Sequence, residues 1–184
     1  PQEENRIIVS LKDVAPIMQE AQIAIEDSRF REHGGVDPRG IVRAFVSKAQ
    51  GGGVQGASTL TQQDVKLTLQ ENARLEDDQA AVASATARSG WAGIARKLRE
   101  LRYAMNLENT MTKDQILEAY LNLAYYGDLA YGVEAAAQHY FSIPASQLNY
   151  NQAALLAGTV QQPGTTDPHN NPKAAQARRD VVLD

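Results

Sequence analysis

Apolar residues recur at helical spacing along most of the chain. The first helix is predicted by an apolar stripe whose members are four, three and four positions apart, namely Val14, Met18, Ala21 and Ile25. Pro16 suits its first turn, and Glu26 lies just off the stripe. If this helix continues, Glu26, Phe30 and His33 share a second face until a glycine pair at 34–35 ends it.

Later segments repeat the helical pattern. Thr59 with Gln62, and Thr112 with Gln115, have the spacing of a capping box at a helix start. Within the segment 92–108 an apolar stripe predicts a core face, formed by Ile94, Leu98, Leu101 and Met105. Further helices are predicted in "ILEAYLNLAYYG", "YGVEAAAQHYF", "NQAALLAGTV" and from Lys173 onward, and only "RIIVSL" suggests a strand.

Composition narrows the function classes. The chain has 184 residues, of which 43% are hydrophobic, so it is long enough to bury the core of one domain. The net charge of -4 argues against nucleic-acid binding, and an anionic ligand would require a local group of cations. The absence of cysteine excludes disulfides and thiolate chemistry. No apolar run approaches the roughly 20 residues that span a bilayer, so we expect a soluble unit.

Two neighbouring acids, Glu26 and Asp27, stand at the edge of the first predicted helix. A carboxylate acts as a general base when it is partly desolvated and aligned with the proton that it removes. Glu26 meets the first condition because it borders a buried stripe. The ordinary alternative is a solvated acid paired with Arg29 or Arg31, and for an isolated pair of acids that alternative is the better one. His33 alone is more often packed than catalytic.

A polar stripe and a group of cations follow. Thr59, Gln62, Gln63 and Lys66 lie on one helix face, which suits an anionic oxygenated ligand near a helix N-terminus. They lack the order of a Walker loop, which disfavours a nucleoside triphosphate. Lys and Arg also occupy positions 88, 96, 97, 99 and 102, against the single acid Glu100. Taken alone, that helix is explained by an ordinary i,i+4 ion pair worth about 0.3–0.5 kcal/mol.

In combination the motifs resemble the peptidoglycan glycosyltransferase domain of class A penicillin-binding proteins. The resemblance runs in order from about residue 20 to the end, and it rests on Glu26, Asp27, Phe30, His33, Gly35, Gln55, Gly56, "STLTQQ", Lys66, Arg96, Lys97, Glu100, "ILEAYLN", Gly132, Ala136 and "NPKAAQARRDVVL". It implies a mainly α fold, with a lysozyme-like large lobe and a smaller membrane-apposed lobe. The implied reaction polymerises lipid II into β-1,4-linked glycan strands with inversion, and it releases undecaprenyl pyrophosphate.

The resemblance also implies a role for each matching residue. Glu26 matches the general base that deprotonates the acceptor 4-hydroxyl, Glu100 an assisting carboxylate, and Lys66 a cation that neutralises the leaving group. No cofactor is required, and Mg²⁺ or Mn²⁺ near Glu100 is compatible with the pattern. The remaining matches line the substrate cleft or hold its walls: Asp27, Phe30, His33, Ser58, Thr59, Gln62, Gln63, Arg96, Lys97 and Asn122. For Asn122 the role of holding the cleft wall is the favoured one.

The same resemblance predicts the organisation of the chain. Residues 1–184 form one domain, with a small lobe at roughly 38–57 whose apolar helix either meets the membrane surface or packs as a core face. The composition of residues 71–93, acidic and then small and polar, separately predicts an exposed insertion. A transmembrane anchor and a transpeptidase domain are expected in the full-length protein, which acts on the extracytoplasmic face of the bacterial plasma membrane. The sequence departs from the family pattern at Asp64, at Thr166-Asp167-Pro168, where Tyr-Asn-Pro is more usual, and in the length between Lys66 and Arg96.

Two other functions compete with a transferase. A lysozyme-like glycoside hydrolase would share the carboxylates and the glycan substrate, but water as the acceptor gives no reason for cations at Lys66, Arg96 and Lys97. A non-catalytic scaffold for glycan or lipid would keep its function when Glu26 becomes Gln. The motif order ranks the transferase first and the scaffold last.

Overall fold

The computed structural model describes residues 5–40, 58–76, 78–87 and 90–183, and these are mainly α-helical, as the sequence predicts. Two-residue strands, β1 (Asn5–Arg6) and β2 (Ala130–Tyr131), pair in parallel. None of the described helices is long and apolar enough to cross a membrane. The helices are α1 (Pro16–Asp27), α2 (Leu60–Leu75), α3 (Gln79–Thr86), α4 (Gly90–Thr110), α5 (Lys113–Leu123), α6 (Val133–Phe141), α7 (Tyr150–Gln161) and α8 (Pro172–Leu183).

Local capping explains where the helices begin. The hydroxyl of Thr59 accepts a hydrogen bond of 3.2 Å from the backbone N–H of Gln62 at the start of α2. Thr112 and Gln115 form the reciprocal pair before α5, with distances of 2.9 and 3.2 Å. Pro16 occupies the first turn of α1. The threonine and glutamine side chains satisfy backbone N–H groups that have no partner within the helix, and proline lacks such an N–H, so the predicted helix starts are confirmed.

The chain divides into two compact units. The first comprises Pro1–Ser28 and Leu117–Asp184. Within it, α7 packs against α1 and α8, and its buried face consists largely of alanine and glycine. A Cβ added at Gly158 would lie 3.0 Å from the side chain of Arg178, so a small residue is needed for α7 to approach α8 this closely.

The second unit is Arg29–Ile116, in which α2 packs against α3 and α4. The predicted small lobe at 38–57 lies outside the described residues except for 38–40. In the predicted insertion at 71–93, the described residues are mostly helical and mostly exposed, and they include α3. Two alanines there, Ala73 and Ala85, are buried, whereas Leu75 and Trp91 are 73% and 86% exposed.

Two expectations from the apolar pattern are wrong. The helix α1 ends at Asp27, so Phe30 and His33 lie in the turns that follow it and do not share a helical face with Glu26. The second error concerns α4, whose predicted core stripe is exposed: Ile94, Leu98 and Met105 are 53%, 62% and 53% accessible, and Leu101 is half-buried. The buried side of α4 instead carries a carboxylate and an alanine, Glu100 and Ala104.

Gly132 provides a test of the fold in the first unit. Its φ is +84°, and an added Cβ would lie 2.8 Å from the carbonyl oxygen of Asn122. We expect Gly132→Ala to lower the free energy of unfolding by about 2 kcal/mol or more, because the left-handed backbone and the clash both oppose a side chain. Urea unfolding followed by circular dichroism measures the change.

The matched control is Gly164→Ala. A Cβ at Gly164 meets nothing within 4 Å, and its φ is not in the left-handed region. This variant should stay within about 0.5 kcal/mol of the parent. Equal destabilisation by the two substitutions would contradict the packing described at Gly132.

Candidate functional site

Glu26 lies on the buried row of α1 in the first unit. Met18, Gln22 and Glu26 follow one another at four-residue intervals, and the Glu26 side chain is only 7% exposed. The amide oxygen of Gln22 accepts a hydrogen bond of 3.4 Å from the Tyr126 hydroxyl. Burial, and then the charge of Glu26, raise the pKa of Tyr126 well above its usual range. The carboxylate of Glu26 therefore occupies a desolvated setting beside a phenol that stays protonated.

Gln22 and Tyr126 are site residues that the sequence reasoning missed. The signal that could have found Gln22 is its spacing of four residues from Glu26, which places both side chains on one helix face. Tyr126 had no such local signal, because it approaches α1 only through the tertiary fold of the first unit.

Asp27 and Asn122 also belong to the first unit, and both are buried. The amide of Asn122 accepts a hydrogen bond from the Val9 N–H at 3.0 Å and donates to the Val9 and Glu118 carbonyls at 2.9 Å each. The amide thus fastens the segment before α1 to α5. This geometry favours the structural role for Asn122.

Residues 29–35 form the loop that follows α1, and they belong to the second unit. Phe30 is fully buried, and the Lys113 ammonium lies 4.4 Å from the centroid of its ring. The same ammonium donates a hydrogen bond of 2.6 Å to the carbonyl of His33, whose ring nitrogen Nδ1 lies 2.9 Å from the carbonyl oxygen of Gly34. These contacts favour a packing role for Phe30 and a loop-shaping role for His33.

The "STLTQQ" motif holds that loop in place. The Thr59 hydroxyl and the Gln62 amide both donate to the carbonyl of Gly35, at 2.9 and 3.1 Å. An added Cβ at Gly35 would come within 2.5 Å of the Ala104 backbone, so the loop rests directly on α4. Thr59 and Gln62 are each 2% exposed, while Gln63 is half-buried. Thr59 and Gln62 therefore act first as supports of the loop.

The cation cluster, defined as Lys66, Arg96 and Lys97, lies in the second unit around Glu100. Glu100 is 1% exposed, and its two carboxylate oxygens face Arg96 and Lys97 in turn. The Lys97 ammonium is 3.5 Å from Glu100 and donates to the Ser58 hydroxyl at 2.6 Å. Burial lowers the pKa of Lys97, Glu100 opposes that change, and the charges of Arg96 and Lys66 add to it. The three cations thus act on one another electrostatically.

A cavity of about 170 Å³ brings two members of this cluster, Lys66 and Arg96, together with α3. Its walls include Lys66 from α2, Arg96 and Glu100 from α4, and small residues from α3, Ala81 and Ala85. The sequence placed these cations on two separate predicted helices, and the fold brings Lys66 and Arg96 to one cavity. The walls carry three cations, Lys66, Arg96 and Arg99, and two acids, Glu76 and Glu100. A cavity with an excess of cations can hold an anionic group such as a phosphate.

The residues around Glu100 do not fit a divalent metal ion. Both oxygens of this carboxylate face cations, Arg96 and Lys97, so a metal would have to displace ammonium or guanidinium groups. Mg²⁺ or Mn²⁺ near Glu100 stays a prediction of the resemblance, and no proposed step passes through a metal at this carboxylate.

Besides Glu100 on α4, the second unit buries the acid Asp64 on α2. It is 3% exposed, and within the described part of the chain its Oδ1 has no hydrogen-bond partner. Burial raises its pKa to about 7. Unlike Glu100, Asp64 has no cation bonded to it in the described structure, so nothing there offsets the effect of burial on its pKa.

Comparison with known proteins decides the family. A family model described as Transglycosylase matches residues 1–184. This chain belongs to the transglycosylase family. The transglycosylase domain is 44% identical to penicillin-binding protein 1A of Escherichia coli over 182 residues, which are 98% of the chain and 19% of that protein. It is 40% identical to penicillin-binding protein 1A of Mycobacterium tuberculosis over 184 residues, 100% of the chain and 21% of that protein.

A third relative, penicillin-binding protein 1A/1B of Bacillus subtilis, is 38% identical over 182 residues, 98% of the chain and 18% of that protein. The transglycosylase domain thus spans about a fifth of the length of these relatives. The predictions of the family, of the mainly α fold and of a transglycosylase enzyme are confirmed.

The buried acid Asp64 predicts how the stability of this transglycosylase domain depends on pH. Asp64 ionises near pH 3.8 in the unfolded chain but near pH 7 in the folded domain, so the folded state binds the extra proton between these values and stability falls as the pH rises. Asp64→Asn cannot ionise. We expect it to match the parent below about pH 4 and to exceed it above about pH 7 by up to about 4 kcal/mol.

Urea unfolding of both chains at the two ends of this pH range measures the difference. Because other acids titrate equally in the two chains, the comparison isolates residue 64. A stability difference that is the same at both pH values would show that Asp64 ionises normally in the folded domain.

Proposed function

We propose that this transglycosylase domain polymerises lipid II into glycan strands, with the Glu26 carboxylate as the general base. The observation that carries the proposal is that Lys66, Arg96 and Glu100 line one cavity in a chain of this family. Cations arranged around a cavity are needed when a pyrophosphate leaves and are not needed when water cleaves a glycan. This favours a transferase over a hydrolase.

In the proposed reaction, Glu26 takes the proton from the 4-hydroxyl of the acceptor sugar. The oxygen then forms a bond to the anomeric carbon of the donor, and the bond from that carbon to the pyrophosphate breaks. Attack from the opposite face inverts the anomeric centre and gives a β-1,4 linkage. The low exposure of Glu26, 7%, supports this role because a desolvated carboxylate accepts a proton more readily than a hydrated one.

The cation cluster receives the departing undecaprenyl pyrophosphate in this proposal. Negative charge grows on the leaving group as the bond breaks, and fixed cations in a partly desolvated cavity stabilise that charge. Glu100 is the assisting carboxylate, and the contacts with Arg96 and Lys97 indicate that it acts by positioning these two side chains. Lys66 is exposed on α2 and lines the cavity, so we assign it to direct contact with the leaving group.

The wider setting is part of the same proposal. The relatives carry the name penicillin-binding protein, and the chain spans about a fifth of their length. We expect a full-length protein with a transpeptidase domain and a membrane anchor, acting on the extracytoplasmic face of the bacterial plasma membrane. The growing glycan strand and the membrane surface would then be the partners of this domain.

Glu26→Gln tests the base. Glutamine keeps the shape of the side chain but cannot accept the proton, so we expect the rate of polymer formation from labelled lipid II in detergent to fall by about 10²–10⁴. The matched control is Glu20→Gln, an exposed acid on the same helix. If the two variants polymerise lipid II equally well while circular dichroism shows both to be folded, Glu26 is not the base.

Lys66→Met tests the leaving-group cation. Removing this charge should lower kcat by about 10²-fold and change lipid II binding much less, because the charge on the pyrophosphate grows in the transition state. Lys173→Met, which removes an exposed lysine from α8, is the control and should keep the parent rate. A loss confined to lipid II affinity, with kcat intact, would assign Lys66 to ground-state binding instead.

A further inference from the structure

Two of the three histidines of the chain converge on one carboxylate oxygen in the first unit. Asp128 Oδ2 lies 2.7 Å from His139 Nε2 and 2.8 Å from His169 Nδ1. We name Asp128, His139 and His169 the His–Asp cluster. None of the three is part of the proposed catalytic chemistry, and each comes from a different segment: the loop before β2, helix α6, and the loop between α7 and α8.

The segments that carry the cluster are fixed by contacts of their own. Asp167, 4% exposed, accepts hydrogen bonds at 2.8 Å from the His169 backbone N–H and from the Asn170 side chain. On the other side, Asp128 follows Gly127 in a stretch of left-handed backbone with φ values of +86° and +44°. A non-glycine residue holds such a conformation only when its surroundings impose it. The backbone that carries the cluster is thus held in place by contacts other than those among its three side chains.

We propose that the His–Asp cluster binds a divalent transition-metal ion, with Zn²⁺ as the best fit. Its potential ligand atoms all lie within 4.8 Å of one another. Two imidazole nitrogens and one carboxylate oxygen form a donor set that Zn²⁺ and its neighbours prefer, whereas Mg²⁺ and Ca²⁺ select oxygen donors. Three protein ligands leave the fourth tetrahedral position to water.

The distances allow this with small side-chain movements. Metal–ligand bonds of about 2.0–2.1 Å separate tetrahedral donors by about 3.3 Å. Each imidazole nitrogen must therefore move about 0.5 Å from the Asp128 oxygen, and the two nitrogens, which lie within 4.8 Å of each other, must approach by up to about 1.5 Å. The side chains have room to do so, because His139, Asp128 and His169 are 29%, 37% and 58% exposed. A bound ion would link three segments of the first unit at one point, and the site is open to solvent on one side.

The test is Zn²⁺ binding to the tag-free chain by isothermal titration calorimetry, after treatment with a chelator. We expect one Zn²⁺ per chain, a higher unfolding temperature with ZnCl₂, and no comparable effect of MgCl₂ at the same concentration. His169→Gln should weaken Zn²⁺ binding by about tenfold or more. Since His169 is largely exposed, its replacement should leave the chain folded, and Asp128→Asn provides a second variant.

The control is His33→Gln, which removes the remaining histidine of the chain from the second unit. This variant should bind Zn²⁺ as the parent does. The proposal is overturned if the parent binds no Zn²⁺ at micromolar concentration, which would make the cluster a hydrogen-bonded His–Asp–His group only. It is also overturned if His169→Gln and Asp128→Asn both bind Zn²⁺ as tightly as His33→Gln.

Discussion

The second unit is organised around the buried carboxylate of Glu100. An unpaired carboxylate with 1% exposure would be strongly unfavourable in its charged form, and cations at its oxygens reduce that penalty. Arg96 and Lys97 do this from the preceding turn of α4, and Arg96 is also fixed by donating to the Ala87 carbonyl at 2.7 Å. Removing Arg96 would leave part of that charge unpaired, at a cost that approaches about 3–5 kcal/mol for a fully broken buried pair.

This pairing links stability to function. The guanidinium of Arg96 is held at the wall of a cavity that it shares with Lys66, so the contacts that make Glu100 tolerable also place positive charge at this cavity. Pre-oriented charge stabilises a developing anion without a further cost of reorganisation when the bond breaks. Asp64 shows the contrast: it is buried without a bonded cation in the described structure, and the result is a pKa raised to about 7.

Much of the fold could be predicted from the sequence, because helix starts depend on local signals. Pro16, Thr59 and Thr112 mark the beginnings of α1, α2 and α5 where the capping chemistry requires. The orientation of α4 could not be predicted. Its apolar stripe is a strong periodic signal, but most of that stripe is exposed in the structure, and the side that carries Glu100 and Ala104 is buried instead. On α1 the buried row likewise contains Gln22 and Glu26.

The sequence predicted which positions belong to the candidate site, but it did not predict what each side chain contacts there. Motif order identified Thr59 and Gln62, yet both donate to the Gly35 carbonyl and so shape the loop after α1. Phe30 is fully buried. Such roles depend on contacts over 24 to 27 positions of sequence separation, which no local pattern contains. Tyr126, 104 positions from its partner Gln22, was missed for the same reason.

The proposed reaction transfers sugar from a pyrophosphate donor, whereas a hydrolase would cleave finished glycan with water. In one experiment the unmodified chain is incubated with labelled lipid II in detergent and, separately, with polymeric peptidoglycan. Glycan length and free reducing ends are measured in both incubations. The account predicts polymer with release of undecaprenyl pyrophosphate from the first and no new reducing ends from the second. New reducing ends from the polymer, with lipid II left unchanged, would contradict it.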